Sequence, residues 1–162
     1  MEFWYEEHGA ALLLFGIALA GDRGRAQDAV HQIFLRLLEY RDLGHIADVR
    51  TYLFTALHNS IISDTRRRGR DVPLKFDDEP RFKSSDIDYV EELNIRRALA
   101  ELPEDQREVT VLHIWGGLTF AQVAEVTGIN ANTAAARYRY ALAKLRESLS
   151  AKKGMGASGR PD

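Results

Sequence analysis

The 162-residue chain contains no cysteine, which removes structural disulfides, thiolate nucleophiles and cysteine-ligated zinc or iron–sulfur sites. Its five histidines (His8, His31, His45, His58 and His113) lack the H-x-x-x-H spacing that sets two imidazoles on one helix face. No metal or cofactor is therefore expected. The longest apolar run, Gly9 to Gly21, has 13 residues, well short of the ~20 that span a bilayer. Glu2, Glu6 and Glu7 precede it, so it lacks the basic leader of a signal peptide. The expectation is a cytoplasmic chain without membrane insertion. No paired acid and base or activated nucleophile stands out either, so nothing supports an enzyme.

What remains is an ordinary globular balance, 45% hydrophobic and 28% charged, in a length that suits one or two small domains. The net charge of −2 hides a segregation. Residues 66–70 hold four arginines and no acid, and residues 109–153 carry a net +4. Between them, residues 71–108 carry −6. Charge divided this way is compatible with a nucleic-acid surface despite the near-neutral total.

Helical periodicity dominates, and no segment alternates long enough for a sheet. A first helix is expected from about Phe3 to Leu19, apolar on most sides and so buried between others. A second carries Ala26, Ala29, Val30, Ile33, Phe34, Leu37 and Leu38 at i, i+3, i+4 spacing. A third begins near Asp48, a suitable N-cap, with Val49, Tyr52, Leu53, Ala56, Leu57, Ser60 and Ile61 on one stripe. It closes on Arg66-Arg67-Arg68-Gly69-Arg70, cations and a glycine suiting a helix C-terminus. These three helices form a domain at 1–70. Asp71 to Asp86, with Pro73, Pro80 and Ser84-Ser85, reads as a flexible linker. A second helical domain follows at 87–150, with Pro103 expected in the first turn of its second helix, and 151–162 is expected to be a disordered tail. The fold class is all-α, two small helical domains on a tether.

Thr119-Phe120-Ala121-Gln122 has the spacing of a capping box. The short helix it opens ends at Gly128, and Asn130 caps a longer one from Ala131 to about Leu149. A short helix, a glycine turn and a longer helix make a helix-turn-helix, whose second helix enters the DNA major groove. At ~100° per residue, Tyr138, Leu142, Leu145 and Leu149 fall together with Ala131 and Ala135 and should pack inward. Thr133, Ala136, Arg137, Tyr140 and Lys144 fall opposite, with Asn132 on the N-terminal shoulder. These are groups that contact phosphates and base edges. The same wheel also describes an ordinary solvated helix face. In the third helix the wheel sets Tyr52 on the core stripe and Phe54 off it, so Phe54 is the candidate for stacking on an unpaired base. Contact with the first helix is its plainer reading. The arginine cluster likewise reads as a dipole partner or as a nucleic-acid footprint.

From residue 3 to 149 the chain resembles the extracytoplasmic-function (ECF) group of bacterial sigma factors. Ala26-Gln27-Asp28-Ala29-Val30-His31-Gln32-Ile33-Phe34 is similar to the group's clamp-binding helix, D-A-x-Q-x-x-F. Tyr52 to Asn59 and Asp64-Thr65-Arg66-Arg67 are similar to its promoter-melting helix. Leu102-Pro103-Glu104-Asp105-Gln106-Arg107-Glu108-Val109 and Gly117-Leu118-Thr119-Phe120-Ala121-Gln122-Val123-Ala124 resemble the opening and helix-turn-helix of sigma domain 4. The resemblance implies a sigma domain 2-like bundle, a sigma domain 4-like helix-turn-helix and a role without catalysis. The chain would bind core RNA polymerase at its clamp and flap and direct it to promoter DNA. It would also help open the duplex, holding unpaired bases in a pocket to offset their lost stacking. By position it implies Asp28 and Gln32 as polymerase-binding residues, since Phe34 belongs to the core by periodicity. Asn59, Arg66 and Arg67, with Phe54 nearby, map to the −10 element. Asn132, Thr133, Arg137 and Tyr140 map to the −35 element, and Lys144 shares their face.

Two departures from the group's pattern stand out. Ser63 occupies a position where the group often carries an acid, and Asp64 comes one later. Ala134-Ala135-Ala136 offers few base contacts, so −35 reading leans on phosphates and DNA shape. Without a long extension to sense a signal, an anti-sigma factor is an expected partner. Two other readings of the residues are a stand-alone LuxR-like helix-turn-helix regulator, which would usually dimerise on a palindromic site, and an all-helical interaction protein without a DNA role.

Overall fold

The computed structural model describes residues 2–39, 44–68 and 86–158. They form seven α-helices and, among the described residues, no strand: α1 (Glu2–Ala20), α2 (Arg23–Glu39), α3 (Val49–Arg68), α4 (Asp86–Glu101), α5 (Glu104–Ile114), α6 (Phe120–Thr127) and α7 (Ala131–Ser158). The linker expected at 71–86 lies, apart from Asp86 at the start of α4, outside the described residues, as do Gly69 and Arg70. The expected disordered tail from 151 is corrected in part: α7 continues through Ser158. Small residues beyond Leu149 do not interrupt helical hydrogen bonding by themselves.

α1 packs on α2, α3 and also α5, which explains why it is apolar on most sides. Leu12 and Phe15 are fully buried in it, as are Leu53, Phe54 and Leu57 of α3; burying each such side chain contributes about 1.5–3 kcal/mol. Gly16 is the close-approach point of α1 and α2. A methyl group there would stand 3.0 Å from the Ala26 Cβ, so the small pair sets the spacing of the two helices.

The caps follow local chemistry closely. Asp48 opens α3 by accepting the Thr51 amide on Oδ1 at 3.1 Å. Thr119 accepts the Gln122 amide at 3.2 Å while Gln122 Oε1 accepts the Thr119 amide at 2.8 Å, completing the capping box. Gly128 ends α6 with φ 81°, a left-handed geometry that a glycine adopts without strain. Asn130 Oδ1 accepts the Thr133 amide at 2.7 Å and opens α7. Pro103 is corrected by one position: it is the N-cap of α5. Its extended ψ of 147° leaves its carbonyl to accept the amides of Gln106 and Arg107 at 3.1 and 2.9 Å. Thr119→Ala removes one half of the box and is expected to cost about 1 kcal/mol, readable as a lower midpoint in thermal unfolding.

The two halves fold against each other. α1 lies on α5, α3 lies on α6, and one continuous buried cluster runs from Leu12 and Phe15 to Leu112, Leu118 and Val123. Polar contacts stitch this seam. Arg107 of α5 donates to the Ala18 carbonyl of α1 at 3.0 Å, and Gln122 Nε2 donates to Asp48 Oδ2 at 2.9 Å. Arg50 donates to the Gly117 carbonyl at 3.4 Å.

Candidate nucleic-acid interface

The basic end of α3 is held by a brace that no pattern in the sequence announces. Arg25 sits at the start of α2, its side chain 9% exposed. It donates to Asp64 Oδ2 through Nη2 at 2.9 Å and Nε at 3.2 Å, to Thr65 Oγ1 at 3.1 Å, and to the Ala20 carbonyl at 3.4 Å. Asp64 Oδ1 also accepts from Arg68 Nε at 3.2 Å. Burial pushes the Asp64 carboxyl upward, but the two guanidiniums outweigh it and hold it below the usual carboxylate range. The Arg25–Asp64 brace thus joins α1, α2 and α3, while Ser63 is exposed. Arg66 and Arg67 beyond the brace are exposed, and so is Asn59 about two turns earlier.

Phe54 is corrected. It is fully buried, edge-on to Phe15 with ring centroids 5.7 Å apart, and offers no face to a base in this arrangement. Tyr52, assigned to the core stripe from the wheel, is 39% exposed. The interior face of α3 is Leu53, Phe54, Leu57 and Ile61 because α3 meets α1, α2 and α6 together. A wheel drawn for one partner misplaces residues at the edge of so wide a contact. Phe34 is buried as the periodicity predicts, and Asp28 and Gln32 of the same helix are exposed. Asp28 and Gln32 line a groove between α2 and α3, about 220 Å³ in volume, together with Arg36, Arg67 and Arg68. Of the −10 candidates, Arg67 alone shares this rim with the two polymerase-binding candidates.

In the helix-turn-helix, α7 packs inward through Ala134, Ala141 and Leu145, with Tyr138 half-buried. The expected face of Tyr138, Leu142, Leu145 and Leu149 is rotated by about 50°; Leu149 and Leu142 lie at its margin. Tyr138 stays inside because it meets His113 edge-on at 4.6 Å and the Phe120 ring at 5.6 Å. The rotation moves the outer face as well. Asn132, Tyr140 and Lys144 are exposed, whereas Thr133 and Arg137 are half-buried. Arg137 Nε lies 3.4 Å from Asp105 Oδ2 of α5, so Arg137 is partly occupied within its own module. Arg139, which the sequence wheel did not select, is exposed on the outer side. A wheel centred on Ala134 and Ala141 would have found it, but alanines carry too little hydrophobicity to set the phase.

Among the described residues no helix is long and apolar enough to cross a membrane. Arginines at the end of α3 and an outward polar face on α7 give two separate surfaces suited to phosphates and bases.

Residues 4–71 match the family model for Sigma-70 region 2, and residues 92–145 match that for Sigma-70 region 4. The chain is 33% identical over 156 residues to the ECF RNA polymerase sigma factor SigL of Mycobacterium tuberculosis, covering 92% of this chain and 88% of SigL. It is 31% identical over 139 residues to the ECF RNA polymerase sigma factor EcfG of Rhodopseudomonas palustris, covering 83% and 77%. Its fold is similar to that of the sigma factor RpoE from Bartonella quintana, solved in complex with the anti-sigma factor NepR (TM-score 0.72, 24% identity, 93% of this chain and 98% of that one). It is also similar to CnrH in complex with the cytosolic domain of CnrY (TM-score 0.64, 22% identity, 93% and 87%). These likenesses give no support to the LuxR-like alternative. With two sigma regions in order on one all-helical chain, the protein belongs to the ECF RNA polymerase sigma factors and directs transcription initiation.

Proposed function

We propose that the two halves divide the work of a sigma factor. Residues 1–70 engage the polymerase clamp through Asp28 and Gln32 and the −10 element through Asn59, Arg66 and Arg67. Residues 87–150 approach the polymerase flap and read the −35 element through Asn132, Thr133, Arg137, Tyr140 and Lys144, with Arg139 added from the exposed face of α7. The observation that carries this reading is that the two outward polar surfaces stand on separate sigma regions. Catalysis belongs to the polymerase, and the chain acts in the cytoplasm. One structural relative, the sigma factor RpoE of Bartonella quintana, is bound to an anti-sigma factor, which supports an anti-sigma factor as a regulatory partner here.

Purified core polymerase, genomic fragments and this chain test the proposal by run-off transcription. Promoter-specific transcripts are expected only when the chain is added; their absence, together with no binding to core, overturns it. The substitutions separate the roles. Asp28→Ala with Gln32→Ala weakens core binding. Asn132→Ala leaves core binding unchanged and costs about 1–3 kcal/mol of upstream-element affinity if it makes a base contact. Lys144→Ala weakens all sequences alike and flattens the salt dependence. An Asn132→Ala chain that loses core affinity instead contradicts the assignment.

A further inference from the structure

His58 projects from α3 into the seam between the two halves. Its Nε2 lies 2.9 Å from Glu108 Oε1 of α5, and both side chains are only 15% exposed. The ring stacks on Phe15 of α1, interplanar angle 13°. A half-sequestered histidine and carboxylate from opposite modules form a contact that exists only while the modules are together. Its strength depends on the imidazolium, because a neutral ring brings no charge to a carboxylate that the seam has largely removed from water.

We propose that the His58–Glu108 pair is a proton-dependent latch that biases the chain toward its folded-back arrangement under mildly acidic conditions and releases it as pH rises.

The surroundings support the sign. Burial pulls the His58 pKa down, but the Glu108 carboxylate, with a smaller contribution from the Asn59 side chain on the same helix, outweighs it and raises the pKa above its ordinary 6.5. α1 presents the Phe15 ring to His58, and α5 presents the Glu108 carboxylate. The closed state therefore binds the proton more tightly than the open one. Its extra stability is fully present below about 6.5 and is lost as pH rises through the raised value.

The other polar contacts of the seam do not titrate in this window. The Asp48 carboxylate that accepts Gln122 is held below the usual carboxylate range, first by the Thr51 side chain. Arg107 stays charged although burial lowers its pKa. His8 works in the opposite direction. Burial lowers its pKa, the neighbouring Glu7 partly offsets this and Arg50 adds to it, so acid weakens the first module through His8 while strengthening the latch through His58. Only substitution at the latch separates the two.

The cysteine-free chain makes the test direct. Dyes on Glu39→Cys and Glu147→Cys, both exposed positions, report the separation of the halves in the full chain by single-molecule energy transfer. From about pH 6 to about pH 8.5 the closed fraction is expected to fall. His58→Gln and Glu108→Gln, with helicity checked by circular dichroism, are expected to lose that dependence. A closed fraction that ignores pH in the unsubstituted chain, or an equal pH response in His58→Gln, overturns the latch. Proton NMR titration of His58 in the unsubstituted chain is the independent readout: an ordinary or lowered pKa refutes the proposal whether or not either variant folds. Neither measurement involves polymerase or promoter, so failure of the functional assignments above leaves this test intact.

Discussion

Arg107→Met is expected to lower the stability of the chain by about 3 kcal/mol, because it strips hydrogen bonds from several buried carbonyls at once. The guanidinium, 7% exposed, donates to Leu99 O at 2.9 Å, Ala18 O at 3.0 Å, Leu102 O at 2.8 Å and Ala100 O at 3.3 Å. It thereby closes the last turn of α4, the start of α5 and the end of α1 around one side chain. Methionine keeps much of the volume and supplies none of the donors. For a chain of this size the loss appears as a fall of roughly 6–12 °C in the unfolding midpoint. Arg107→Lys is expected to recover only part of it, since three donors on one ammonium do not reproduce the planar fork. A midpoint unchanged in Arg107→Met would show that the carbonyls find other partners. The Ala18 bond crosses the seam, so the same substitution should also shift the dye-labelled chain toward its open form.

Gly116→Ala is expected to cost about 3 kcal/mol, at the upper end for overpacking, and to disturb the helix-turn-helix more than any other glycine-to-alanine change in it. A Cβ on Gly116 falls on the Leu112 carbonyl oxygen and crowds the Leu112 backbone, and backbone cannot swing aside as a side chain does. The turn is tightly wired: Trp115 and Gly116 both donate to the Val111 carbonyl at 3.0 Å, and the Leu118 amide donates to Leu112 at 3.2 Å. His113 Nδ1 meets the Leu118 carbonyl at 2.8 Å. Moving it re-aims α6 against α5, so promoter binding should fall with stability. Gly128→Ala meets open space but keeps a positive φ and is expected to cost about 1–2 kcal/mol. Gly24→Ala, at an exposed position whose nearest neighbour is Asp22 Oδ1 at 3.5 Å, is expected to cost about 1 kcal/mol or less. Thermal unfolding of the three variants checks the order, and a Gly116→Ala midpoint above that of Gly128→Ala reverses it.

Most caps were legible in the sequence because they depend on contacts within three or four residues, the exceptions being Pro103, one position out, and the C-terminal end of α7, nine residues beyond Leu149. Asp48, the Thr119–Gln122 box, Gly128 and Asn130 all sit where the chain alone puts them. Helix faces were legible best where large apolar residues repeat strictly, as in α2, whose Ile33, Phe34 and Leu37 are buried and whose Asp28 and Gln32 are exposed, although Leu38 at the edge of that stripe faces solvent. In α3 the contact with three helices widened the buried face, took Phe54 inside and left Tyr52 outside. In α7 the phase was set by Ala134 and Ala141, residues too small to be read as core, and this brought Arg137 toward Asp105 and turned Arg139 outward.

Sequence by itself determined the all-helical class, the helix boundaries near their caps and the two sigma-like blocks, since local hydrogen bonding and apolar period act along the chain. Tertiary structure alone decided the Arg25–Asp64 brace, the Arg107 carbonyl cluster and the His58–Glu108 contact. Each includes a partner between 8 and 89 positions away, and no local pattern encodes which distant group a buried charge will meet.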